Sequence, residues 1–398
     1  MVIKNAMVCD IDSQRELDIC IEDGIITQIG SDLDGDEVID ANGLYFMPLL
    51  VDTNIKVEDS TLNAKNIRSL SDEALKSGIG HIVLTPESTP AIDNEIVLEF
   101  AQNGLHLLSG AKVDLMINAL KEDATLSNIA ILLKRGAVVP YISTIAKNDL
   151  VIKIAQYCQM YDVTLFCKAE DNSLISSGVM LDGAISSQLG LSGIPDLSEV
   201  LHVSRMIEIA RHFKIRILFK SIASPRSIYL IDKAKKEGVD LMCEVSIHHL
   251  LNSDEACRGF NTTAKLNPPL AKESDRVELM AALKDGKIDI LTTLHQPSSP
   301  VNKEVAFYNA AYGCEGLKNA MSLYYTKLVK SNIISMSDLI RVCVKNPSDA
   351  IKDEKYSIKV GQRVNAMLFD PNSVVVMNEK LSLYDNELLY GEIKRIFY

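Results

Sequence analysis

Three lysines stand directly after short apolar runs of the kind that predict buried strands. Lys56 follows MPLLVDTNI, Lys168 ends VTLFCK, and Lys220 ends IRILFK. An ammonium group donates hydrogen bonds but has no free lone pair, so it cannot ligate a metal ion. A desolvated lysine can instead neutralise carboxylates, bind an anion, form a Schiff base or carry a proton. The sequence therefore predicts a site based on lysine chemistry or on lysine ion pairs.

Glu87 and Leu294 occupy equivalent positions, after the apolar runs HIVLTP and IDILTT. Such runs alternate with amphipathic stretches along the middle of the chain, and this alternation predicts a parallel sheet flanked by helices. With MPLLVD as the first strand the count reaches eight, which closes a (β/α)8 barrel. Because active sites of this fold lie where the strands end, these two residues and the three lysines are expected to converge on one pocket. The alternative, lysines solvated on the barrel rim, stays open.

Composition narrows the range of partners and compartments. The 41 Lys and Arg residues against 53 Asp and Glu give a net charge of -12, which repels nucleic acid and anionic lipid surfaces. The eight cysteines are scattered without a CxxC pair, as expected for a reducing compartment. No apolar stretch approaches about 18 residues, and the amino terminus lacks a basic run followed by an apolar core. We therefore expect a cytoplasmic protein that binds neither nucleic acid nor membrane.

Seven motifs spread over nearly the whole chain resemble those of the dihydroorotases, which are members of the amidohydrolase superfamily. They are MPLLVD at 47–52, TPESTP at 85–90, KAED at 168–171, LGLSGIP at 189–195, EVSIHHLL at 244–251, AKLNPPL at 264–270 and DGKIDILTTLHQPS at 285–298. The resemblance implies a (β/α)8 TIM barrel beside a small β-sandwich built from both chain termini. The expected domain limits are 1–50 and 353–398 for the composite sandwich and 51–352 for the barrel.

The resemblance also identifies the positions at which the family binds its metal ions. The family motifs are PGLIDxHxH, HxED, HxS and TDHAPH, and the Asp of the last is both a metal neighbour and the general base. In this chain the corresponding residues are Asn54, Lys56, Lys168, Lys220 and Leu294. A further Asp is expected after the GA of RGAVVPYIS, where Ile142 and Ser143 stand. These replacements predict that the chain has no metal ion, no other cofactor and no catalytic residue of the family type.

Substrate positions of the family are changed as well. Glu58 stands where HxHxREPG supplies an arginine for the substrate carboxylate, Glu87 replaces the Asn of MPNTxP, and Ser298 replaces the last His of TDHAPH. A carboxylate cannot clamp another carboxylate. The polar family positions that remain near the expected pocket are Asp52, Glu170, Asn267 and His295.

The histidines give little support for a metal site. His295 is the one histidine expected at a strand end near the pocket, and a zinc site is not built from a single histidine. His248 and His249 are adjacent, so on the strand expected there they would face opposite sides and could not bind one metal ion. We expect structural roles for both.

These losses lead to the hypothesis of a catalytically inactive, dihydroorotase-like protein. Some bacteria carry inactive dihydroorotase-like chains that assemble with the aspartate carbamoyltransferase catalytic chain. The resemblance therefore suggests a structural partner of that enzyme in pyrimidine biosynthesis, and a homo-oligomer. Two alternatives stay open: a metal-independent or residual cyclic-amide hydrolase of the dihydroorotase or hydantoinase type, and a protein that binds a small anionic metabolite through its lysines. The anion site would vanish if carboxylates neutralised those lysines.

Overall fold

Eight parallel strands form the central sheet of the computed structural model, which describes residues 1–106, 108–143, 146–353 and 357–398. Along these residues the strands are β1 (Val2–Cys9), β2 (Gln14–Glu22), β3 (Ile25–Gly30), β4 (Val38–Asp40), β5 (Tyr45–Pro48), β6 (Leu50–Ile55), β7 (Ile79–Leu84), β8 (Lys112–Asn118), β9 (Val139–Ile142), β10 (Leu165–Lys168), β11 (Met180–Leu181), β12 (Gly193–Ile194), β13 (Ile217–Lys220), β14 (Leu241–Ser246), β15 (Ile290–Thr292), β16 (Ala366–Val376) and β17 (Leu388–Phe397).

The barrel runs β6, β7, β8, β9, β10, β13, β14 and β15, each hydrogen-bonded to the next. Its two ends meet at a parallel bridge between Ile55 and His295. Its interior is filled by apolar side chains from seven strands: Val83, Met116, Val139, Tyr141, Phe166, Leu218, Met242 and Ile290. Because side chains alternate along a strand, the residues two positions after Phe166, Leu218 and Met242 also point inward. This periodicity aims Lys168, Lys220 and Glu244 into the barrel.

Helices cover the outside of the barrel. They are α1 (Ala64–Lys76), α2 (Glu95–Leu105), α3 (Ile129–Lys134), α4 (Asn148–Tyr161), α5 (Ala184–Leu189), α6 (Leu197–Phe213), α7 (Pro225–Lys236), α8 (Ile247–Leu251), α9 (Glu273–Lys284), α10 (Pro300–Lys303), α11 (Ala320–Tyr324), α12 (Met336–Ile340) and α13 (Asn346–Ala350). Side-chain oxygens of Asn63 and Asn94 cap α1 and α2 by accepting from backbone N–H groups of their first turns. Within the described segments no helix combines the length and the apolarity needed to cross a bilayer.

A second sheet joins the two ends of the chain. Its order is β17, β16, β5, β1, β2, β3, with β4 paired to β1. Strand β5 is antiparallel to β16, with Phe46 opposite Leu368, and both side chains belong to a separate apolar cluster with Ile3 and Ile19. The predicted fold, a (β/α)8 barrel with a sheet domain drawn from both termini, is confirmed. The predicted sandwich segment 353–398 includes residues 354–356, which lie outside the described residues.

One local expectation is wrong. His248 and His249 lie on helix α8 and not on a strand, because the Ser246 side chain ends β14 by capping that helix. The His249 ring contacts Ser246 Oγ at 2.7 Å and the carbonyl of Pro268 at 3.1 Å, and the His248 ring contacts Tyr384 Oη at 3.0 Å. Burial lowers the pKa of His248 to about 3 and that of His249 to about 4, so both rings are neutral packing groups.

Candidate binding site at the barrel mouth

A cavity of about 220 Å³ opens where the barrel strands end. The five positions identified from the PGLIDxHxH, HxED, HxS and TDHAPH motifs line it, together with Glu87 and Asn267 among the expected substrate positions. The lining residues are Asn54, Lys56, Glu87, Tyr141, Lys168, Lys220, Ser221, Asn267, Pro268, Leu294, Gln296 and Tyr312. The three lysines therefore face a shared cavity and are not scattered along a solvated rim.

Lys56 and Glu87 form an ion pair at one side of the cavity. The Lys56 ammonium lies 2.8 Å from Glu87 Oε2, and the Tyr141 hydroxyl donates to the same oxygen at 3.4 Å. Burial alone would raise the pKa of Glu87, but the fields of Lys56, Lys168 and Lys220 lower it to about 2. Glu87 is thus an anion that is stabilised by three nearby lysine ammonium groups.

Lys168 pairs with a different carboxylate. Its ammonium lies 3.1 Å from Glu170 Oε1. The Asn267 amide is assigned the orientation in which both its oxygen and its nitrogen form hydrogen bonds. Its oxygen then accepts from Lys168 Nζ at 3.0 Å, and its nitrogen donates to Glu170 Oε2 at 2.8 Å. The retained Asn267 and Glu170 therefore hold the lysine that stands in the place of a histidine.

Lys220 lies deepest of the three lysines, with 2 % of its side chain exposed. Its ammonium donates to the carbonyl of Thr53 and lies 3.9 Å from Glu244 Oε2. The rings of Tyr141 and Phe166 are within 6 Å of the ammonium, at 5.8 and 5.6 Å from ring centroid to nitrogen. Burial lowers the pKa of Lys220, although Glu244 and other nearby carboxylates oppose the shift.

Glu244 lies behind the cavity wall, where it orients Asn54 and Thr53, and it was missed from the sequence. The Asn54 amide donates to Glu244 Oε1 at 2.5 Å and to Ser221 Oγ at 2.7 Å, while Thr53 Oγ1 donates to Glu244 Oε2 at 3.1 Å. Burial raises the pKa of Glu244, and Lys220 works against this rise. A signal was present, because a single carboxylate inside the apolar strand LMCEVS predicts a buried and partnered group.

Asp52 lies behind the cavity wall and has a structural role. One oxygen accepts from Asn54 N at 2.8 Å, and the other accepts from Thr293 N at 2.8 Å and Thr293 Oγ1 at 2.6 Å. Burial raises the pKa of Asp52, although these hydrogen bonds lower it. Through these hydrogen bonds the carboxyl group links β6 to the segment that follows β15.

Five of the predicted positions do not line the cavity: Asp52 and Glu170, described above, and Glu58, His295 and Ser298. Glu58 is exposed and lines a separate polar groove, whose floor includes His295 and Glu315. His295 Nδ1 lies 3.0 Å from Glu315 Oε1, so this histidine is paired away from the lysines. Ser298 is buried, with 7 % of its surface exposed.

The cavity does not fit the two metal ions that the family motifs imply. Asn54 uses its amide on Glu244 and Ser221, and all three lysines present ammonium groups. Leu294 is 5 % exposed and offers no oxygen. Ile142 lies buried in β9, and Ser143 follows it without contributing to the lining. Among the residues that the structure describes, no group of three His, Cys, Asp or Glu side chains converges there, and a zinc-type site requires such a group.

Comparisons with known proteins agree on the lineage. No protein-family model matches the chain. A dihydroorotase of Ruminiclostridium cellulolyticum is 34% identical over 414 residues, covering 98% of this chain and 95% of that protein. A dihydroorotase of Acetivibrio thermocellus is 33% identical over 410 residues, covering 98% and 94%.

Solved structures resemble the fold at lower identity. An L-hydantoinase from Arthrobacter aurescens superposes with a TM-score of 0.84 at 20% identity, covering 98% of this chain and 93% of that one. A D-hydantoinase gives a TM-score of 0.85 at 18% identity, covering 99% and 93%. At this identity the likeness supports the barrel and its sheet domain alone.

Proposed function

The chain belongs to the dihydroorotase family of the amidohydrolase superfamily, and we propose that its barrel cavity binds a small carboxylate-bearing cyclic amide without a metal ion. The ligand class follows from the relatives, whose name specifies dihydroorotate, a cyclic amide with one carboxylate. The cavity volume of about 220 Å³ is compatible with a ligand of this small size. The cavity would then still bind the cyclic amide, although the residues at the metal-ligand and general-base positions have changed.

The observation that carries this proposal is the excess of positive charge on the cavity lining, which has three lysines and one carboxylate, that of Glu87. Three ammonium groups face it, and each has a carboxylate neighbour: Glu87 beside Lys56, Glu170 beside Lys168 and Glu244 beside Lys220. The carboxyls of Asp52 and Glu244 lie behind the wall and do not line the cavity, and burial raises the pKa of each. Carboxylates therefore neutralise part of the lysine charge, which was the condition expected to weaken an anion site, so the affinity for an added anion is expected to be modest.

Uncharged groups complete a surface suited to an amide ring. Asn267 and Gln296 carry amides, and Ser221, Tyr141 and Tyr312 carry hydroxyls on the same lining. Each can donate or accept a hydrogen bond, so ring N–H and C=O groups would find partners. Hydrolysis by the family route is not part of the proposal, because Leu294 cannot take a proton and the donor set cannot activate water through a metal ion.

Titration calorimetry on the full chain tests the proposal. The probes are dihydroorotate and dihydrouracil, which shares the ring but lacks the carboxylate. We expect saturable binding of the former alone, about tenfold weaker in Lys56→Met and in Lys168→Met. Glu87→Gln should bind more tightly, because it removes the anion that now competes for the lysines.

The exposed Lys284 supplies the control, Lys284→Met. Equal binding of both probes, or lysine variants identical to the parent, would overturn the proposal.

Assaying the same samples for ring opening separates binding from hydrolysis. Turnover that is unaffected by chelator would favour the metal-independent cyclic-amide hydrolase instead of a binding protein. Turnover that requires zinc or manganese would contradict metal independence altogether.

A structural role is the second candidate, since the chain covers 95% of the length of a dihydroorotase while its own ligand positions have changed. In this proposal the protein is an inactive homo-oligomer that assembles with the aspartate carbamoyltransferase catalytic chain in pyrimidine biosynthesis. Co-expression followed by size-exclusion chromatography with light scattering tests it. A stable complex with changed transferase activity supports the assembly, and separate elution of the two chains at micromolar concentration contradicts it.

A further inference from the structure

We propose that a second cluster, at the opposite end of the barrel from the cavity, binds one divalent transition metal ion of the Zn²⁺ type. The cluster consists of His81, Asp114 and Asp353. One ligand atom from each side chain lies within 4.8 Å of the others, and among the described residues this is the group of His, Cys, Asp and Glu that meets this distance. None of the expected family ligand positions belongs to it.

The barrel places two of the three side chains by strand periodicity. His81 and Asp114 lie near the starts of the neighbouring strands β7 and β8, two residues before the inward-facing Val83 and Met116. Asp353 follows α13 and completes the cluster from the segment that leaves the barrel. The imidazole therefore lies between carboxylates that are far apart in the chain.

The donor set suits a borderline metal ion. The two carboxylates contact different ring nitrogens: His81 Nε2 lies 2.8 Å from Asp114 Oδ2, and Nδ1 lies 3.6 Å from Asp353 Oδ2. An ion bound to one of these nitrogens would need one Asp side chain to turn toward it, over a short distance because one ligand atom from each residue lies within 4.8 Å of the others. One imidazole nitrogen and two carboxylate oxygens are ligands that Zn²⁺ accepts, with water completing the shell.

Lys112 supplies a competing cation at the same place. Its ammonium lies 2.8 Å from Asp114 Oδ2 and 2.9 Å from Asp353 Oδ2. The side chain is 47 % exposed and flexible, so it can move into solvent. A divalent ion carries twice the charge and also accepts the lone pair of His81, which an ammonium cannot do. We therefore expect weak metal binding in the parent protein and stronger binding once Lys112 is removed.

A neighbouring cavity gives the ion access and space for water. It has a volume of about 530 Å³, and His81, Lys112 and Asp353 contribute to its lining together with the carboxyl-terminal Tyr398. The Tyr398 hydroxyl accepts from Lys112 N at 2.7 Å and donates to the carbonyl of Gly80 at 3.1 Å, which fixes the backbone on both sides of the cluster.

Zinc titration by calorimetry and the visible absorption of bound Co²⁺ test the inference. Lys112→Met should raise the Zn²⁺ affinity at least tenfold with one ion per chain. Asp353→Asn added to Lys112→Met should remove both the heat and the Co²⁺ bands, and so should His81→Gln. His212→Gln, which removes an exposed histidine elsewhere, should change neither.

Affinity that is unchanged by Lys112→Met, or binding that survives Asp353→Asn, would overturn the inference. Because His81 is buried, its replacement could impair folding, so the Asp353→Asn variant is the decisive test of metal binding. The two proposals are tested independently, because the cluster and the barrel mouth share no lining residue, and we expect loss of this ion to leave the dihydroorotate titration unchanged.

Discussion

Lys220 and Glu244 face each other inside the barrel on neighbouring strands, with 3.9 Å between Nζ and Oε2 and with side chains 2 % and 0 % exposed. Replacing Lys220 by Met leaves Glu244 buried without its cationic neighbour. We expect a loss of about 3 kcal/mol in the free energy of unfolding, as measured by denaturant titration.

The double variant Lys220→Met/Glu244→Gln serves as the matched control. Gln retains an acceptor for Asn54 or Thr53 and carries no charge, so part of the lost stability should return. A single variant within about 0.5 kcal/mol of the parent would show that the pair contributes nothing to stability.

Glu87 should make stability depend on pH in the acid range. Folding lowers its pKa from 4.5 to about 2, so the unfolded chain takes up the proton first as the pH falls. The stabilisation is therefore complete above about pH 5 and is lost as the pH falls toward 2. Relative to Glu87→Gln, the parent should gain about 2–3 kcal/mol at pH 6, and the difference should vanish near pH 2.

Denaturant unfolding at a series of pH values measures this difference. The exposed Glu278 provides the comparison variant, Glu278→Gln, whose profile should follow that of the parent. A constant offset between the parent and Glu87→Gln at all pH values would mean that the lysines do not hold this carboxylate as an anion.

The cysteines should be inert in the folded protein. All eight are free and buried, and burial raises the pKa of most of them, to about 12 for Cys9, Cys158 and Cys167. Because the thiolate is the reactive species, we expect fewer than one thiol per chain to react with Ellman's reagent within minutes at pH 8. Unfolding in guanidinium chloride should release all eight, and rapid labelling of several thiols without denaturant would contradict this burial.

Much of the site was predictable from the sequence because it depends on strand periodicity. The inward positions of Lys168 and Lys220 follow from the apolar residues two positions earlier, and parallel strands bring their ends to one mouth. Glu58 could not be placed in this way. It begins a short 3-10 turn, Glu58–Ser60, in which Asp59 adopts a φ of 49°, and this turn leads the chain into a separate groove.

The pairing between side chains was the second feature that the sequence alone could not predict. The pattern places Lys56 and Glu87 near one cavity, but which carboxylate each lysine meets depends on rotamers and on loop paths that no local signal specifies. The helix after β14 was misassigned for a similar reason, because the apolar run EVSIHHLL fits a strand or a helix and the Ser246 cap decides between them.

Leu294→Asp tests what the lost carboxylate position now contributes. Leu294 has a φ of 46°, a left-handed conformation that Asp and Asn adopt more readily than Leu, so the backbone should accept the change. A new carboxylate on the cavity lining would neutralise part of the lysine charge. We expect dihydroorotate binding to weaken at least tenfold. We expect no hydrolysis in added zinc, because the other ligand positions still carry lysine and asparagine.

The isosteric Leu294→Asn variant, which adds no charge, should bind nearly as the parent does. Zinc-dependent turnover in Leu294→Asp would instead mean that one missing base was all that separated this chain from hydrolysis.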